Sequence, residues 1–248
     1  MSISVTDYSR PGVLDLAAAA ADEGRIDTVW VPDHLIQAAP GSDPESEMFE
    51  AVAVLGYLAG RTTRVRLGAL VFAATYRPAA ILIKSVATVD ALSGGRAWLG
   101  VGAGYLEEEA ERFGVPLPPV PERFDVLEST LGMARKMWDG PVLVGGTGEK
   151  RTLRLVAQYA DACNLFDIPD GGKTVRHKLD VLARHCEDVG RPFEAIEKTL
   201  STRLGPDETP QGFVERVVAL GVDHAIVLTT GPWTAPELER VAAVAAAA

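Results

Sequence analysis

Val142-Leu143-Val144-Gly145-Gly146-Thr147-Gly148-Glu149-Lys150-Arg151-Thr152 runs from an apolar, β-branched segment through a glycine-rich turn into a stretch that keeps helical periodicity to Tyr159. A strand that turns tightly into a helix is one half of a βαβ unit. The turn also brings unpaired N–H groups and the positive end of the helix dipole together, which makes an anion site. It is not a Walker loop, which needs Lys followed by Ser or Thr at fixed spacing. Glycines placed only to let the chain turn would read the same way.

Working outward, the same step recurs along the whole chain. Short apolar runs occupy residues 3–6, 28–32, 65–72, 97–101, 141–144, 162–166, 198–204 and 224–228. Between them lie helical patterns such as Val13, Leu14, Leu16 and Ala17, or Phe49, Val52, Ala53 and Leu58, or Ile81, Leu82, Val86 and Val89. Leu127, Leu131, Ala134 and Met137 continue the series, followed by 152–159, 175–189, 213–220 and 238–246. The runs start on the order of 30 residues apart, which suits right-handed parallel crossovers. An open doubly wound sheet uses the same alternation. Eight units over 248 residues match one closed (β/α)8 TIM barrel, so a single α/β domain over residues 1–248 is expected, with its active site at the C-terminal ends of the strands.

Composition narrows the function classes. Lys plus Arg total 24 against 34 Asp plus Glu, a net charge of −10, which opposes nucleic acid and anionic membrane surfaces. No apolar run approaches the roughly 18 residues of a membrane span. Cys163 and Cys186 lack metal-ligand spacing, and the first ten residues lack a basic segment followed by an apolar core, so a cytoplasmic protein without a structural disulfide is expected. His177 and His185 lie two turns apart on one helix and His224 begins the last strand, so no metal set is expected.

Asp33 and His34 follow the second run, in Val31-Pro32-Asp33-His34-Leu35, and therefore sit at the barrel mouth. His34 is the best acid/base candidate among four histidines; the alternative is a loop histidine bonded to nearby backbone, with Asp33 as a cap. Gly68 in the third run marks a bulge, a close approach or a plain buried strand. Ser93-Gly94-Gly95 reads as a helix C-cap. Gly100, Gly102 and Gly104 end the fourth run, where small residues let a ligand approach the backbone, and Glu107, Glu108 and Glu109 open a helix whose dipole alone accounts for carboxylates there.

Taken together, these segments resemble the luciferase-like monooxygenase superfamily, particularly its branch dependent on the deazaflavin coenzyme F420. The resemblance rests on 29–35, 64–71 with Tyr76-Arg77-Pro78, 88–96, 99–104, 107–109, 143–151 and 159–164, in that order. It implies a usually dimeric (β/α)8 barrel with a flavin or deazaflavin across its mouth. Asp33 and His34 would contact the ring, with His34 exchanging a proton with substrate or orienting it. Leu70-Val71 would be a non-prolyl cis peptide bulging against the ring face, Ala73, Ala103 and Gly104 would line the cofactor, and Gly145, Gly146, Gly148 and Glu149 would hold its phosphate end.

The sequence departs from the family pattern twice. Sugar-phosphate dehydrogenases of the deazaflavin branch carry a catalytic acid directly after the fourth-strand glycines, where this chain has Tyr105. Members commonly insert a long segment before the fifth strand, whereas here Trp138-Asp139-Gly140 leads straight into Pro141. The expected activity is hydride transfer between coenzyme F420 and a small organic substrate. Two other readings stand beside it: a monooxygenase using reduced FMN from a separate reductase, and a cofactor-binding protein without catalysis.

Overall fold

The computed structural model describes residues 1–5, 10–24, 26–38, 43 and 45–248. Part of the first expected run and its turn (Thr6 to Ser9), and part of the loop after His34 (39–42 and 44), lie outside the described residues. Strands β1 (Ser2–Ser4), β2 (Thr28–Val31), β3 (Arg66–Ala69), β4 (Phe72–Ala73), β5 (Ala97–Gly102), β6 (Val142–Gly145), β7 (Ala162–Phe166), β8 (Glu197–Thr202) and β9 (His224–Val227) pair in parallel. The order is β3-β2-β1-β9-β8-β7-β6-β5-β4, and β3 also pairs β5, so the sheet closes. It is an eight-staved barrel in which β3 and β4 are two pieces of one stave.

That broken stave carries a one-residue bulge. Gly68 faces Trp98, whereas Phe72 faces Val101, so four steps on one strand match three on its neighbour. The extra residue falls at Leu70–Val71, whose peptide bond is cis. Gly68 itself serves close approach: a Cβ there would lie 2.5 Å from the Trp30 ring. Trp30 fills the lower barrel with Trp98, Leu143, Ala162 and Ile226, so this glycine is needed for interior packing.

Around the barrel lie α1 (Pro11–Glu23), α2 (Ala51–Arg61), α3 (Ala79–Ser93), α4 (Glu107–Phe113), α5 (Val120–Met137), α6 (Thr152–Tyr159), α7 (Lys173–Val189), α8 (Pro210–Val218) and α9 (Ala235–Ala247). Gly94 ends α3 in the left-handed region, as its sequence implies. Gly114 does the same for α4, and Pro116, Pro118 and Pro119 separate it from α5. Only residues 138–141 join α5 to β6, so the connection is as short as the sequence suggested. No helix among the described residues is long and apolar enough to cross a membrane.

At the opposite, N-terminal end of the barrel, His224 Nε2 lies 2.6 Å from the Ser2 hydroxyl and Nδ1 lies 3.3 Å from Glu197. Burial lowers this imidazole from 6.5 to about 4. The unfolded ring therefore takes up its proton at a higher pH than the folded ring, so stability falls as pH drops from 6.5 and levels off once the folded ring titrates near 4. The loss reaches about 3 kcal/mol. Urea unfolding of His224→Gln should show a flatter decline in free energy across that window; a slope equal to that of the parent would place the acid sensitivity elsewhere.

Candidate functional site

All eight staves send residues from their C-terminal ends into one cavity of about 430 Å³. Ser4, Asp33 and His34, Leu70 to Ala73, Gly102 to Leu106, Gly145 and Gly146, Phe166, Ser201 and Arg203, and Leu228 and Thr229 line it in order around the mouth. Barrel geometry alone brings these separated segments together.

The floor is apolar. Val71 projects from the bulge and is flanked by two glycines: a Cβ on Gly145 or Gly102 would stand 2.7 or 2.8 Å from its methyl groups. Those two glycines are thus what lets Val71 rise into the cavity. Leu70, Ala73, Ala103 and Gly104 extend the surface, and Gly146 with Thr152 closes its far edge at the start of α6.

Asp33 is almost completely buried, 4% exposed. Its carboxylate accepts two bonds of 2.7 Å from the Arg77 guanidinium and one of 3.0 Å from Ala73 N–H. Burial pushes this carboxyl up, while Arg77 and the Ala73 amide pull it down and only partly compensate. Arg77 also donates to Glu50 at 2.6 Å, the residue that caps α2 by accepting from Ala53 N–H. Asp33 therefore ties the β2 loop to the bulged stave, and Arg77 ties both to α2.

His34 stands on the wall, held from behind by Glu109. Nδ1 lies 3.1 Å from Glu109 Oε2. The same oxygen accepts from the Tyr76 hydroxyl at 2.5 Å, and Oε1 accepts from the Leu35 and Ile36 amides. The Glu109 side chain is 0% exposed. Burial raises its pKa, yet the donors from His34, Tyr76 and Leu35 outweigh this and hold it below the ordinary carboxylate value. Burial and the bond to Glu109 push the Tyr76 hydroxyl well up, so it remains a donor.

A carboxylate only accepts, so neutral His34 carries its proton on Nδ1 and leaves Nε2 as an acceptor. The Tyr105 hydroxyl lies 3.3 Å from that Nε2, with the two rings edge to face at 5.7 Å between centroids. The resulting chain Glu109–His34–Tyr105 runs from the interior to the cavity.

Most of the residues expected from the sequence meet here: Asp33, His34, Leu70, Val71, Ala73, Ala103, Gly104, Gly145 and Gly146. Gly148 and Glu149 do not line the cavity. Glu149 turns instead toward α7, where its carboxylate takes Lys178 at 2.6 Å and His177 at 3.1 Å, and its carbonyl takes His185 at 2.7 Å. The helix-dipole account of the three glutamates holds for exposed Glu107 and Glu108 but not for Glu109. No group of His, Cys, Asp and Glu among the described residues is arranged to hold a metal.

The family profile described as luciferase-like monooxygenase matches residues 9–142, more than half of the chain. The chain belongs to that family. Among curated relatives of this member of the family, the F420-dependent glucose-6-phosphate dehydrogenase of Amycolatopsis mediterranei is 34% identical over 80% of the chain and 66% of the relative. The enzyme of the same name from Kineococcus radiotolerans is 29% identical over 83% and 67%. The chain thus spans about two thirds of the length of these relatives. An F420-dependent secondary alcohol dehydrogenase in complex with an F420-acetone adduct shares the fold, with a TM-score of 0.82 at 16% identity over 98% of this chain and 97% of that one. So does the coenzyme F420 dependent tetrahydromethanopterin reductase of Methanopyrus kandleri, with a TM-score of 0.77 at 16% identity over 98% and 96%.

Proposed function

We propose that this luciferase-like chain is an oxidoreductase that transfers a hydride between coenzyme F420 and a small organic substrate, working as a single-domain, cytoplasmic homodimer. The observation that carries this reading is an apolar floor at Leu70–Val71 placed beside an imidazole whose tautomer is set from behind. Relatives named as F420-dependent dehydrogenases support it. Tyr57 on α2 and Ile81 and Leu92 on α3 are exposed apolar side chains that suit a second copy.

The cavity fits a flat tricyclic ring. Val71, raised between Gly102 and Gly145, offers a surface for one face, while Ala73, Ala103 and Gly104 are small enough for an edge to lie against backbone. Gly145 and Gly146, at the start of α6, would take the phosphate end. When bound, the deazaflavin supplies the carbon that accepts or gives the hydride. The chain supplies placement, exclusion of water and one proton site at His34, backed by Glu109.

Equilibrium binding tests the reading. Coenzyme F420 should bind at least tenfold more tightly than FMN. Tighter binding of FMN would favour a reduced-flavin monooxygenase, and binding of neither would remove both.

A further inference from the structure

We propose that Tyr105 is the residue that meets the substrate oxygen, so that Tyr105, His34 and Glu109 relay a proton to or from an alcohol or carbonyl substrate. This rests on the hydride-transfer reading above and names the substrate class of that site.

Tyr105 leaves the end of β5 and lines the cavity with its side chain largely open, 66% exposed. Its hydroxyl faces His34 Nε2 at 3.3 Å. Glu109 accepts the Nδ1 proton, so Nε2 has no proton to offer in the neutral ring and the Tyr105 O–H donates to it. The edge-to-face ring contact with His34 keeps the hydroxyl at that nitrogen. A substrate entering the cavity therefore finds the phenol oxygen in front of the imidazole. An ordinary phenol is un-ionised at neutral pH, with a pKa of about 10, and the cavity wall on one side together with the Glu109 charge pushes this one further up. The group meeting the substrate is therefore an un-ionised hydroxyl, able to accept from an alcohol O–H or donate to a carbonyl oxygen. A C–OH or C=O oxygen satisfies this hydroxyl without any charge.

For oxidation, the alcohol O–H proton passes to the Tyr105 oxygen as the Tyr105 proton passes to His34 Nε2. A bound deazaflavin would take the hydride, with its electron pair, from the carbinol carbon as the C=O bond forms. The imidazolium left behind faces the Glu109 carboxylate, which stabilises it until the proton is lost to solvent. Reduction runs the same transfers backward. Glu109 is a positioning residue here, and Tyr105 touches the substrate.

The test uses the full chain, coenzyme F420 and a panel of uncharged primary and secondary alcohols with their carbonyl partners. Tyr105→Phe keeps the ring contact and removes the hydroxyl. It should lower kcat about a hundredfold, with KM moving less than threefold and coenzyme affinity unchanged. Retention of kcat within threefold overturns the role of Tyr105, and a parent protein that binds coenzyme F420 but turns over none of the panel overturns the substrate class. The 15N resonance of His34 Nε2 in coenzyme-free protein separates this proposal from the reading beneath it. Tyr105→Phe should shift that resonance toward the value of an unbonded acceptor. No shift removes the relay even if coenzyme F420 binds, whereas a shift without coenzyme binding keeps the Tyr105–His34 hydrogen bond and overturns the deazaflavin reading with the hydride step that rests on it.

Discussion

Arg77→Met should destabilise the protein by about 3–5 kcal/mol, the range for removing one partner of a buried ion pair. Asp33 has a side chain 2% exposed and receives both arms of the guanidinium. Methionine keeps much of the stem, loses the guanidinium that lies over the Phe72 ring, and among the described residues leaves the carboxylate with only the Ala73 amide. Burial already raises the Asp33 pKa above 3.8, and loss of Arg77 raises it further. An acid whose folded pKa exceeds its unfolded value stabilises fully below the unfolded value and loses that contribution as pH rises through the folded one. The deficit of Arg77→Met should therefore be small near pH 4 and grow toward neutrality. Urea unfolding at both ends of that range measures it, and Asp33→Asn in the same chain should recover most of the loss. An equal deficit at both pH values would mean that Arg77 acts through packing or Glu50, not through the buried charge.

Asp33, at the end of a strand, reads as a mouth residue, and it is one. What its carboxylate faces depends on Arg77, 44 positions away, and on how the bulge turns the chain between them. Periodicity gives strands and helices because burial of alternating or 3.6-spaced positions is a local property. Every stave was legible for that reason, and the β6–α6 turn gave both its strand and its helix. Long-range polar partners have no such period. Glu109 shows the boundary: three glutamates in a row all suit a helix start. Yet only Glu109 lies three residues from Leu106, on the face that also carries buried Ala110. That spacing was readable and predicts an inward carboxylate. Its meeting with His34, Tyr76 and the 35–36 amides was not, since those residues converge only once the barrel closes. The β6–α6 turn shows the same limit, because nothing periodic in the sequence says that Glu149 turns to Lys178, His177 and His185 of α7.

Glu109→Gln should reduce kcat by about 10²–10⁴, the range for loss of a positioned acid/base group, while leaving coenzyme affinity within about threefold. The substitution is nearly isosteric, so its effect lies in donors and acceptors. Among the described residues, all four groups around Glu109 donate: the Leu35 and Ile36 amides to Oε1, Tyr76 and His34 to Oε2. A carboxamide offers one oxygen. If that oxygen keeps the two amides, its NH₂ group faces His34 Nδ1 and the Tyr76 hydroxyl, and the imidazole must move its proton to Nε2 to accept. Nε2–H then points at the cavity, Tyr105 loses the acceptor it had at 3.3 Å, and an imidazolium formed during turnover has no anion behind it. The loss should therefore appear in kcat more than in KM, accompanied by a change of His34 tautomer visible in its 15N resonances. A variant that turns over normally with the proton moved to Nε2 would show that the tautomer is irrelevant. One that loses activity with the proton still on Nδ1 would show that Glu109 supports the fold of the wall and not the state of His34.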